Sequence, residues 1–463
     1  MKILSKTYKE GLYEKKVLSM MLVGVLAVSA FAACGSNGAS NAATGSTDGE
    51  ETTVDTASED ENTLSVAAWD KNFNIPALEA AEKAYQKKNP DFKLIIQEQS
   101  QSSDVEDKVT LAGSSDDYSQ LPDIVLFQDH YIKKYVTDYP NAWQSLEDAD
   151  INWDDFGAEK LSYSTIDGKH YGAPVDNGTV IMAYRTDALE QAGYTVEDMK
   201  GISWDQFDEI GKAVYEKTGL YLLSMDGDGN DLPYMMLQAE GVSQFADGKP
   251  QLDSNQTVAD VINVIVKLAQ DNVLYLANDW SDYTDNTIVA DKVAGVMNGN
   301  WIIPTMEQVD ANAGKWAITT MPTLEGNGKE GFASNGGSSL YITGACKNVD
   351  LAKDFLAYTF GGGEGAMETY DAALTNGGVI TTCLSAGKSD VYNQGVDFFN
   401  GQAVYADIVA MGENVPIVEQ SDFHYPCRTQ VAGAIQNIIN GTDTATALKD
   451  AQEQLVHSME SAE

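Results

Sequence analysis

Leu64-Ser65-Val66-Ala67-Ala68-Trp69-Asp70 is a short apolar run that ends on an aromatic and an acid, and the alternation of helix and strand beyond it decides the fold. Pro76 opens a helical run over Ala77–Lys88, with Leu78, Ala81 and Tyr85 on one face. Asn89-Pro90 stops it, and Phe92-Lys93-Leu94-Ile95-Ile96 reads as a second strand. A helical stretch near Val105–Leu111 leads to a third, Asp123-Ile124-Val125-Leu126-Phe127. Strands alternating with helices predict an α/β fold with a mostly parallel sheet covered on both faces. Ligands of such sheets sit outside the carboxyl ends of the strands, which singles out Trp69-Asp70 and Phe127-Gln128-Asp129.

The later chain keeps this style. A periodic helix is expected over Val258–Gln270, and strands over Trp316–Met321 and Leu340–Thr343. Asn348 is placed to cap a helix running through Phe360, which Gly361-Gly362-Gly363 stops. Further helices are expected over Thr429–Asn440 and about Thr444–Met459.

Ahead of this body lies a different kind of sequence. Lys2, Lys6, Lys9, Lys15 and Lys16 precede an apolar run from Val17 to Ala33, and Phe31-Ala32-Ala33-Cys34-Gly35 fits the pattern of a bacterial lipoprotein signal. The run is slightly short of the ~20 residues of a membrane helix. Residues 1–33 are therefore read as a signal peptide and Cys34 as the lipid-bearing amino terminus, on the outer face of the cell membrane. Residues 34–62 carry almost nothing large and apolar and are expected to be a flexible tether.

Net charge is −41 over 463 residues, and the basic leader makes the remainder more acidic still. A field of that sign repels phosphate backbones and argues against a nucleic-acid partner. Beyond Cys34, the spacing of Cys346, Cys383 and Cys427 fits no zinc pattern and leaves their pairing open. Asp226-Gly227-Asp228-Gly229-Asn230-Asp231 begins like a calcium loop. Asp231 stands where the turn needs Gly, and Leu237 where the bidentate Glu is needed, so a solvated turn is the better reading. No nucleophile elbow, zinc-protease motif or phosphate loop is present. Neither a cofactor nor a metal is implied. A glycan hydrolase needs only two carboxylates and no motif, so the residues by themselves leave that class open. They also leave open a binding protein for a polyamine or a peptide.

Several segments, in order, resemble a known family. They are Tyr171-Gly172-Ala173-Pro174-Val175-Asp176-Asn177-Gly178 with Tyr184-Arg185-Thr186-Asp187; Ser203-Trp204-Asp205-Gln206-Phe207; Lys292-Val293-Ala294-Gly295-Val296-Met297-Asn298-Gly299-Asn300-Trp301; and Gly336-Gly337-Ser338-Ser339-Leu340 with Ala352-Lys353-Asp354-Phe355-Leu356. The tail adds Phe423-His424-Tyr425, Arg428-Thr429 and Ala447-Leu448-Lys449-Asp450-Ala451. Together these resemble the extracellular solute-binding proteins (family 1) of sugar ABC importers, which include the maltodextrin-binding protein. The resemblance implies the two-lobed periplasmic-binding-protein fold of type II, with a sugar in the cleft, no chemistry, a monomer, and delivery to an ABC permease in the membrane. Lobe one would hold 63–173 and 322–362, and lobe two 174–321 and 363–463. Aromatic faces cover the C–H faces of a pyranose, while carboxylates, amides and Arg fork onto its hydroxyls. The residues expected to do so are Trp69, Asp70, Phe127, Gln128, Asp129, Asp176, Asn177, Tyr234, Trp301, Gly337, Ser338, His424, Tyr425 and Arg428. Trp280 and Tyr283 are further candidates on a polar loop. His424 and Phe127 stand where the maltodextrin-binding protein has Trp, which argues for a different sugar.

Overall fold

The computed structural model describes residues 56–226 and 232–462. The signal run, Cys34, most of the expected tether and the centre of the calcium-like loop lie outside the described residues.

Two sheets organise the chain into two lobes. The first has strand order Lys93–Gln99, Thr63–Trp69, Ile124–Gln128, Ser338–Ile342, Gly172–Asp176. Its first three strands are parallel, whereas Ser338–Ile342 runs antiparallel to both of its neighbours. Alternation along each strand sorts the side chains by face. Leu64, Val66, Ile124, Leu126, Leu340 and Val175 meet the helices Asn74–Tyr85, Val349–Thr359 and Ala366–Gly377. Ala67, Val125, Phe127 and Tyr341 meet Ser102–Ser115 and Asp129–Asp138 on the other side. Both faces are covered, as the near-continuous apolar strands require.

The second sheet departs from the parallel expectation. Val180–Arg185 lies between Gly295–Gly299 and Trp316–Thr319 and is antiparallel to both. Val180, Met182 and Tyr184 face one core, which Trp204–Thr218, Gln256–Gln270, His424–Ile439 and Thr444–Ala462 cover. Ile181 and Ala183 face another, with Tyr283, Ile302 and Phe399. Trp204–Thr218 starts with the reciprocal cap its sequence encodes: Gln206 N donates to Ser203 Oγ at 3.2 Å, and Ser203 N to Gln206 Oε1 at 2.9 Å.

Four expectations are corrected. The tether ends sooner than residue 62, because Ser58 is buried and its N–H donates to Asp123 Oδ2 at 2.8 Å. Asp123 Oδ2 also accepts from Ser65 N and Ser65 Oγ, each at 2.8 Å, and Glu59 pairs with Lys347. Asn348 occupies its N-cap position without bonding the helix; its amide donates to Asp60 O at 2.8 Å instead. The expected crossings shift as well. Pro174–Asp176 still belongs to the first sheet, and residues 321–333 stay with the second lobe, where Thr323 N donates to Ile202 O at 3.1 Å and Met321 and Ala333 join its core. Tyr370, Ala373, Val379 and Cys383 return to the first lobe's core. Finally, the helix expected from Thr429 begins five residues earlier, at His424, which puts His424, Tyr425 and Arg428 on one helical turn. Cys346 and Cys383 are buried free thiols, and burial pushes them up to about 12 and about 11.

Candidate functional site

A cavity of about 660 Å³ opens where the strand ends of the two sheets meet. Trp69 ends the first strand half-buried, and Asp70 turns the chain away with a φ of 64°. Asn72 N donates to Asp70 Oδ1 at 3.0 Å, so the exposed carboxylate stabilises its own turn while facing the cavity. Phe73 and Asn74 continue this wall into the helix Asn74–Tyr85. Gln128 and His130 come from the end of the third strand and the helix after it.

The floor is the approach to Ser338–Ile342. Gly337 has a φ of 93°, and a Cβ there would stand 2.6 Å from Asp129 Oδ2, so only glycine permits the close passage. Ser338 donates to Asp176 Oδ1 through its N–H at 3.0 Å and its hydroxyl at 2.5 Å. Beneath lies a buried ionic cluster. Lys160 Nζ, 1% exposed, donates to Asp129 Oδ2 at 2.5 Å and to Ser338 O at 2.8 Å. Ser339 Oγ donates to Asp129 Oδ1 at 3.2 Å. Burial pushes the Asp129 carboxyl up to about 7, with the Lys160 charge opposing. Burial raises Asp176 and Glu159 as well, against Lys160 and the Ser338 donors at Asp176, and against Tyr163 and Ser334 at Glu159.

The second lobe supplies the other wall. Trp301 comes just after the strand Gly295–Gly299 and donates its indole N–H to Asn335 O at 2.8 Å, which fixes the ring and leaves its face for contact. Trp280 lies 5.8 Å from it and is 45% exposed. Asn335 Nδ2 donates to Asn298 Oδ1 at 2.8 Å, so the two cavity-lining amides orient one another. Tyr425 and Arg428 close this side, with the guanidinium 5.1 Å from the Tyr425 ring centre.

Of the residues singled out in the sequence, Trp69, Asp70, Gln128, Asp176, Trp301, Gly337, Ser338, Tyr425 and Arg428 line the cavity, and so does Trp280. Five expected residues stand elsewhere. Phe127 is 1% exposed and turned to the other face of its strand, edge-on to Tyr135, Trp143 and Tyr341. Asp129 lies under the floor, paired with Lys160. Asn177 borders a separate small hollow with Thr179 and Gly412. Tyr234 is buried behind His130 and His424, and His424 stacks on His130 instead of facing the cavity. Sequence reasoning missed Phe73, Asn74, His130, Asn298, Thr305 and Asn335. Phe73 lies close behind the first strand end and Asn298 precedes Trp301 by three residues; both positions were signals. The remaining amides and hydroxyls resemble any surface residue.

The family described as bacterial extracellular solute-binding protein matches residues 80–400. The lactose-binding protein of Rhizobium radiobacter is 31% identical over 392 residues, 84% of this chain and 92% of that one. The chain belongs to the bacterial extracellular solute-binding proteins. Among solved structures, the sugar-binding protein MalE of Xanthomonas citri superposes with a TM-score of 0.69 at 16% identity, covering 86% of this chain and 98% of that one. The galacto-N-biose-/lacto-N-biose I-binding protein of the Bifidobacterium longum ABC transporter gives 0.68 at 17% identity, covering 86% and 97%. These likenesses establish the two-lobed fold of a solute-binding protein, with the cavity between its lobes.

Proposed function

We propose that this solute-binding protein captures a short oligosaccharide in its cleft and presents it to an ABC importer. The observation that carries the reading is the lining. Indole rings come from both lobes, Trp69 from one and Trp301 with Trp280 from the other, and amides and a guanidinium stand between them. That combination suits the alternating C–H faces and hydroxyls of a sugar. The volume lies within the ~300–1,000 Å³ of small-molecule sites. Relatives named for lactose and arabinooligosaccharide binding support the same ligand class.

In this reading the lobes hinge at residues 177–179, 335–337 and 387–391, and a sugar favours closure only through contacts to both lobes. The protein acts as a monomer, held at the outer face of the membrane by lipid on Cys34. Thermal shift against lactose, galactobiose, arabinooligosaccharides and maltodextrins tests the capture step. A ligand at a hundred times its Kd adds about 2.7 kcal/mol of stability. No shift with any saccharide defeats the reading, and recovery of cleaved sugar moves the protein to the hydrolases. Cys34→Ala should release the folded body from membranes without altering capture.

A further inference from the structure

Two pairs of aromatic rings lie face to face between helices that belong to different cores. Ile132 and Val136 seat the helix Asp129–Asp138 against Val125 and Tyr341 of the first lobe. Val431 and Ile435 seat His424–Ile439 against Val180 and Tyr184 of the second. Each helix offers two successive rings from its first turn. His130 stacks on His424 with centroids 4.8 Å apart and planes 4° from parallel. Tyr131 stacks on Tyr425 at 4.7 Å and again 4°. The edge of Tyr234 meets both imidazoles, at 88° to His130 and 90° to His424.

From these stacks we infer that the four rings form a clasp between the lobes, and that its outer ring, Tyr131, strengthens sugar binding from outside the cavity lining. Tyr131 is a positioning residue: it does not line the cavity, yet it braces Tyr425 and, through that ring, Arg428, which do. Hinge opening separates the two helices and with them both stacks, so the clasp stabilises the closed arrangement alone. It does so whether or not sugar is bound. The apparent dissociation constant of a binding site equals its intrinsic value divided by the fraction of molecules already competent, so a clasp that raises this fraction tightens binding. The inference rests on the sugar-receptor reading for its effect on affinity, but not for its effect on the sugar-free protein.

The test compares wild type with Tyr131→Ala and Tyr131→Phe. X-ray scattering of the sugar-free proteins reads closure directly, and lactose titration with stopped-flow dissociation reads affinity. Tyr131→Ala should enlarge the sugar-free radius of gyration and weaken lactose binding roughly threefold to tenfold, as expected for loss of one stacked pair, mainly through faster dissociation. Tyr131→Phe keeps the ring, loses only the hydroxyl's hydrogen bond to Tyr425, and should restore most of both. An unchanged sugar-free radius in Tyr131→Ala overturns the clasp, as does Tyr131→Phe behaving like Tyr131→Ala. Should Tyr131→Ala misfold, Tyr131→Leu keeps apolar bulk without a ring and must show the same opening. If wild type binds no lactose, the sugar-free scattering still decides the clasp, and only the sugar reading fails.

Discussion

The ends of the first and third strands of the first sheet read alike in sequence, an aromatic with an aspartate one or two residues later, yet they meet opposite fates. Trp69 is partnered on one side only, by Gln99, and Asp70 swings the chain outward, so ring and carboxylate both reach the cavity. The third strand is also paired on one side at its end, Phe127 opposite Ser339 and Gln128 opposite Ser338, but Phe127 points into the helix-covered core and a helix starts at Asp129. Phe127 is therefore locked in the core and Asp129 sealed above Lys160. A strand end marks the neighbourhood of a ligand, but the face a side chain takes and the turn or helix that follows decide which one stays open.

The sharpest way to break this contrast is at the sealed end. Lys160→Met strips the buried cation from Asp129 and, above pH 7 where that carboxyl is ionised, should lower unfolding stability by ~3–5 kcal/mol in urea titration, since a buried charge loses its partner. Phe127→Ala should cost a similar ~3–5 kcal/mol by leaving a cavity, while sugar affinity in the folded protein stays within about twofold. A large affinity loss without destabilisation would instead put Phe127 in the site.

At the open end the expected effect moves from folding to binding. Trp69→Ala and Trp301→Ala should each weaken sugar binding by ~1–3 kcal/mol in calorimetry and leave the folded state intact.

The smallest effect concerns protons. Folded Asp129 keeps its proton to about pH 7, whereas an unfolded aspartate releases it near ~3.9. Between these values the folded state binds more protons, so this group's contribution falls as pH rises from about 4 to 7 and is level above. Acidification from pH 7 to 6 should therefore stabilise the protein by about 1 kcal/mol through Asp129, and Asp129→Asn should flatten that slope in denaturation curves.

Much of this was legible in the sequence, for local reasons. Strand cores such as Val66 and Leu126 announce themselves by apolar runs, and Ser203 with Gln206 announces a helix start. The features that stayed hidden depend on distant partners. The segment before residue 63 lacks large apolar groups and reads as free chain, but Asp123, sixty-five residues away from Ser58, supplies an acceptor that composition alone cannot reveal. The crossings moved because strand pairing, as between Ser339 and Pro174, sets lobe membership. In the site, Trp69 was visible from its place at a strand end and Trp301 and Arg428 from the family resemblance, whereas Asn298 and Asn335 matter through a mutual bond that no single-residue pattern carries. His424 was misread because its partner, His130, arrives from the other lobe.

The docked segment at Ser58 has a mechanical consequence. Chain entering there leads straight into the first strand, which is held lengthwise between two parallel neighbours. A pull on the amino end therefore runs along that strand and loads its ladder bonds side by side, in shear, instead of peeling them one at a time. The load path enters the lobe that carries Trp69 and bypasses the ring stacks.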